Sequence, residues 1–152
     1  MKEIKLVIQE IDKHQERLIH AKLKIIKWGN ITVEMFQDFD KVETIDSFIF
    51  RFSKMQDTIG EKLFPLILQI LEEEVRNKSF IDILNTLERL EFIPSAKKWR
   101  ELREIRNQIT HTYPWEQEIL VEEIKKALIS SQEMIEIYNN IKIKISKYLT
   151  NL

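Results

Sequence analysis

The stretch "SFIDILNTLERLEFIPSAKKWRELREIRNQITHTYPW", residues 79–115, decides the fold. Ser79, with Asp82 three residues on, has the form of a capping box with Asp in the acidic place, so a helix spans 79–92 and Pro94 ends it. A further helix fills 95–112, because Trp99, Leu102, Ile105 and Ile109 recur at the spacing of one buried stripe and Pro114 disfavours helical geometry at Tyr113.

Downstream, residues 116–149 read as one long helix, with Glu116, Glu118, Glu122 and Glu123 in the first turns, where the helix dipole favours acids. Upstream, Ile4, Val7, Ile8, Ile11, Leu18, Ile25 and Trp28 predict a helix over 2–28 that Gly29 stops. In "DKVETIDSFIFRFSKMQDTIGEKLF", residues 40–64, Asp40 or Thr44 is the expected cap, Phe48, Phe52, Met55, Ile59 and Leu63 form the stripe, and Pro65 kinks or restarts the helix. Short linkers make such helices pack antiparallel. The expectation is an all-α, up-and-down antiparallel bundle of about five helices, forming a single domain over 1–152.

At 152 residues and 43% hydrophobic content the chain can bury one core and is too short to divide comfortably into two. Charged residues make up 32% and nearly cancel to a net −1, so an anionic partner has to be met by a local patch. The absence of cysteine excludes disulfides and thiolate metal sites, and "MKEIKLVIQE" is too charged for a signal peptide. The longest apolar runs, such as "FPLILQIL" at 64–71, fall far short of the roughly 20 residues that span a bilayer. A soluble, cytoplasmic protein without membrane contact is expected.

Within 95–112, Arg106 falls only about 45° from the centre of the buried stripe. A guanidinium there is either paired with an acid from another helix or pointed into a wet crevice that receives an anion. Asn107 and His111 stand four apart on one face, so the Asn107 amide is expected to orient the imidazole and hold one tautomer, an arrangement suited to proton transfer. His111 lies in the last turn, at the negative end of the dipole, which favours its protonated form. Arg100 and Arg103, with Lys97 and Lys98, give a local positive patch despite Glu101 and Glu104, which suits a phosphate-bearing ligand. Arg106 and His111 stand about 140° apart around an ideal helix, which is awkward for gripping one phosphate from a single chain. A homodimer with these helices facing each other removes the difficulty.

The pattern Arg106-Asn107-x-x-x-His111-x-Tyr113 resembles the R-x4-H-x-Y signature of the HEPN superfamily, specifically the HepT-like toxins, and "DSFIFRFSKMQDTIGEKLFP", residues 46–65, resembles the second helix of small proteins of that superfamily. The resemblance covers essentially the whole chain. It implies a metal-independent ribonuclease site at a homodimer interface. His111 would move the proton of a ribose 2′-hydroxyl or of the leaving oxygen, Arg106 would stabilise the pentacoordinate phosphate, and Asn107 would orient base or substrate. It also implies a partner, a minimal nucleotidyltransferase antitoxin that transfers AMP from ATP to Tyr113, blocking the phosphate cleft. No cofactor is implied.

Three other classes compete with this one, of which a purely structural bundle leaves the grouping from Arg106 to Tyr113 unexplained. A non-catalytic nucleotide- or substrate-binding subunit, or antitoxin subunit, of a nucleotidyltransferase complex would use the same residues to hold a phosphate. A di-iron bundle needs Glu-x-x-His pairs, and the residues three before His14, His20 and His111 are Ile11, Arg17 and Gln108, so that class fails.

Overall fold

The computed structural model describes residues 2–150; Met1, Asn151 and Leu152, at the ends of the expected 1–152 unit, lie outside them. Helix α1 (Lys2–Lys27) buries Ile4, Ile11, Leu18, Ala21 and Ile25, and the chain turns at Gly29, whose φ of +81° suits a residue without a side chain. A 3₁₀ turn (Val33–Gln37) then delivers Asp38 in extended geometry to the start of α2 (Phe39–Thr58).

The cap of α2 is Asp38, not Asp40 or Thr44. Its carboxylate accepts the N–H groups of Asp40 and Lys41 at 3.0 and 3.4 Å, while the Thr44 hydroxyl donates to the Asp40 carbonyl inside the helix. Asp38 and Asp40 have the same capping chemistry, and the preceding 3₁₀ turn selects between them.

Pro65 is accommodated by a π turn (Ile59–Leu63) in which the Phe64 N–H donates to the Ile59 carbonyl. In a regular helix the proline ring would meet the carbonyl four residues back; the wider turn relieves that clash. Backbone angles stay right-handed helical through Ile59, Leu63 and Phe64 into α3 (Phe64–Ile70), so α2 and α3 form one rod. Helix α4 (Phe80–Arg89) opens with the Ser79–Asp82 capping box, both reciprocal bonds present. Ser95 caps α5 (Ala96–His111) through the Lys98 N–H at 2.9 Å, and α6 (Gln117–Thr150) closes the chain. Among the described residues the structure is all-helical, with five rods and no strand.

Cross-links fix the directions of the four long rods. Glu10 meets Lys62 while Trp28 meets Lys41, so α2 returns along α1. Asp12 meets Tyr138 and Lys142 while Lys22 meets Gln132, so α6 runs against α1. Lys98 pairs with Glu133 and Thr112 with Glu123, so α5 and α6 are antiparallel. Helix α4 is a short element beside α3 and α5. The buried Gln56 amide donates to the Leu102 carbonyl at 3.0 Å, tying α2 to α5 one residue before Asp57.

The apolar stripes converge on one core that includes Phe48, Phe52, Phe64, Trp99 and Tyr138. On the α1–α2 seam, an Arg51 guanidinium nitrogen lies 3.0 Å from His14 Nδ1. Arginine only donates, so Nδ1 is the acceptor and the ring is neutral. Burial first, and then the Arg51, Lys54 and Arg17 charges, lower the His14 pKa, with Glu10 opposing. Among the described residues no helix is long and apolar enough to cross a membrane.

Candidate functional site

Arg106 occupies the border of the buried stripe on α5, and its guanidinium is gripped by Asp57 of α2, Nε to Oδ1 at 3.2 Å and Nη2 to Oδ2 at 2.7 Å. Of the two alternatives for a guanidinium at this position, the paired one is present, and the crevice is present with it. The side chains stay 23% and 34% exposed, and both line a groove of about 630 Å³ between α2, the 3₁₀ turn, the end of α5 and the start of α6. Its walls are largely apolar, with Phe36, Phe39, Ile49, Phe50 and Pro114 among them. Asp46, also in the wall, has its carboxyl pKa raised by burial.

The remaining guanidinium donor, Nη1, lies 3.1 Å from Thr110 Oγ1, and that hydroxyl also stands 3.4 Å from His111 Nδ1. Thr110 therefore lies between the arginine and the histidine. His111 itself is exposed and is not part of the groove wall.

The group holding the imidazole is the backbone carbonyl of Asn107, 2.6 Å from Nδ1, and not the Asn107 amide. Helical side chains lean toward the N-terminus, which brings the ring over the carbonyl four residues back, while the Asn107 side chain is exposed. A carbonyl only accepts, so Nδ1 carries the proton and Nε2 faces outward with its lone pair when the ring is neutral. One tautomer is fixed, as proton transfer requires, by a different atom of the same residue.

Beyond the helix, Thr112 caps α5 with its N–H to the Gln108 carbonyl, and its hydroxyl, 2.8 Å from Glu123 Oε1, docks the end of α5 on α6. Residues 113–116 form a turn closed twice: the Glu116 N–H donates to the Tyr113 carbonyl at 2.9 Å, and the Tyr113 N–H donates to the Glu116 carboxylate at 3.3 Å. Pro114 presets the first corner. The turn presents Tyr113, 57% exposed, stacked on Trp115, 73% exposed, with ring centroids 4.6 Å apart and planes 6° from parallel. The Tyr113 hydroxyl makes no hydrogen bond among the described residues.

Arg100 is exposed on α5. Arg103 lies over the Phe80 ring at 4.8 Å, at a second crevice that also includes Asp57, Gly60 and Trp99. Lys98, by contrast, is paired with Glu133 at 3.0 Å, so its charge is largely committed. Neither Asp57 nor Thr110 was among the residues singled out by sequence, and Trp115 had no role there. Thr110 follows Arg106 by one helical turn and was open to the same four-residue argument applied to Asn107; Asp57, 49 residues away, carries no local signal. Among the described residues, no group of three or more His, Asp or Glu side chains is placed to hold a metal ion. Compared with models of known protein families, with curated proteins and with solved structures, the chain matches none.

Proposed function

We propose that the chain is a cytoplasmic, metal-independent endoribonuclease of the HEPN superfamily, a HepT-like toxin that works as a homodimer. A minimal nucleotidyltransferase partner silences it by transferring AMP to Tyr113. The observation that carries this reading is His111, its Nδ1 tied to a backbone carbonyl and its Nε2 open, on the same helix end as an arginine held in place by Asp57. Nε2 removes the 2′-hydroxyl proton of a ribose, the 2′-oxygen attacks the adjacent phosphate, and the 5′-oxygen leaves with a proton drawn from water, which the imidazolium then replaces, giving a 2′,3′-cyclic phosphate and a 5′-hydroxyl. Arg106 balances the charge that builds on the phosphate oxygens, Asn107 contacts base or substrate, and Arg100 and Arg103 draw the RNA backbone to α5.

Arg106 looks into the apolar groove and His111 lies outside it, which supports a second copy as the groove's occupant, bringing one chain's His111 to the other's Arg106. The exposed Tyr113 phenol is accessible to a modifying enzyme, and AMP added there places a phosphodiester charge beside the cations that receive RNA.

One observation favours a second reading, a non-catalytic nucleotide- or substrate-binding subunit or antitoxin subunit: Arg106 is already paired with the Asp57 carboxylate at 2.7 Å. Incubation of the purified protein with RNA in EDTA separates the two. The nuclease reading expects cleavage that is lost in Arg106→Ala and His111→Ala; binding without cleavage supports the second reading.

A further inference from the structure

We infer that Trp115 is a stacking platform for an unpaired nucleobase of the substrate, and hence that the RNA bound at this end of α5 is single-stranded. This deepens the ribonuclease reading and rests on it. The Trp115 indole is 73% exposed, and its ring contact is the parallel stack on Tyr113. One face of the indole is thus covered by a ring and the other is open. Two rings already parallel at stacking distance, on a turn closed by two hydrogen bonds and a proline, are ordered before any ligand arrives.

Large exposed aromatics held flat in this way match the π-face that every base presents, and bases inside a duplex do not offer that face. Trp115 follows His111 by four residues, at most about 14 Å of extended chain, so a base on the indole and a phosphate at the imidazole belong to one short stretch of strand. Charge sets the side on which the backbone runs. Glu118 and Glu122 open α6 beyond the platform, whereas on α5 the exposed Lys97, Arg100 and Arg103 outnumber Glu101 and Glu104, so the phosphates pass on the α5 side.

The test uses a fluorescein-labelled 2′-O-methyl oligoribonucleotide, which lacks the 2′-hydroxyl needed for cleavage, as a single strand and as a duplex, with binding read by anisotropy. Trp115→Ala should weaken single-strand binding about tenfold, and Trp115→Phe, which keeps a ring, should retain most of it. Because stacking releases no counterions, the alanine defect should persist as salt is raised, whereas Arg100→Ala should flatten the salt dependence. Circular dichroism of Trp115→Ala should match the wild type, as the indole fills no core space. If Trp115→Ala binds the single strand as tightly as wild type, or wild type prefers the duplex, the platform is overturned and the nuclease reading stands. If wild type binds neither RNA, both are overturned.

Discussion

Asp57 on α2 and Arg106 on α5 meet through two parallel hydrogen bonds, one residue beyond the point where the Gln56 amide pins the same two helices together. The pair aims the guanidinium as well as neutralising it. Because both groups are partly exposed, Asp57→Ala should cost only about 1–2 kcal/mol in urea unfolding, and the loss should shrink at high salt. RNA cleavage should fall much further, with Arg106 intact but no longer held. Full activity in Asp57→Ala would show that Arg106 needs no partner to act.

Thr110 and Asn107 separate positioning from contact. Thr110→Val removes the hydroxyl beside Arg106 Nη1 and His111 Nδ1, and it should lower kcat by about tenfold with little change in KM. Asn107→Ala leaves the carbonyl that holds His111 in place, so the pH profile of cleavage should keep its shape while KM rises. An unchanged KM in Asn107→Ala would mean that the amide contacts no substrate.

The helices and their stripes were legible in the sequence because caps, prolines and apolar spacing are local signals: Ser79 with Asp82 and Pro114 mark boundaries that the structure has, whereas α4 does not run to 92 and is not stopped by Pro94 but ends at Arg89, where Glu91 turns left-handed at φ +62° and the Phe92 N–H donates to the Leu87 carbonyl. The cap at Asp38 was missed because two aspartates two residues apart offer the same chemistry, and only the 3₁₀ turn before them decides. The π turn that absorbs Pro65 has no signature beyond the proline itself. At the candidate site, residues sharing α5 were found by periodicity, but Asp57 reaches Arg106 through the packing of two helices, which no spacing rule encodes. The role given to the Asn107 amide failed for a related reason: the four-residue rule describes side chains, and the ring folded back onto the backbone instead.

Stability should decline as pH falls through the ordinary histidine range. His14 has a folded pKa below 6.5, from burial first and then from the Arg51 charge, so the unfolded chain takes up its proton before the folded one. The contribution from His14 is therefore complete above 6.5 and is lost as pH drops toward its folded pKa. Thermal midpoints measured from pH 7.5 to 5 should show this decline, and His14→Gln should flatten it. An equally steep decline in His14→Gln would place the proton uptake elsewhere.

The groove beside Arg106 carries Phe39, 83% exposed, and Phe50, also exposed. If a second copy covers them, light scattering should give twice the chain mass at micromolar concentration. Phe39→Glu with Phe50→Glu should give a folded monomer without nuclease activity. A wild-type monomer, or an active monomeric variant, contradicts the shared site.

The shared site is tested most directly by complementation. Arg106→Ala and His111→Ala chains, each inactive alone, are co-expressed with different tags, and the heterodimer bearing both tags is purified and given RNA. If Arg106 of one chain works with His111 of the other, one of the two sites in that heterodimer is intact, and it should cleave at about half the wild-type rate. A heterodimer as inactive as its two parents would contradict the account.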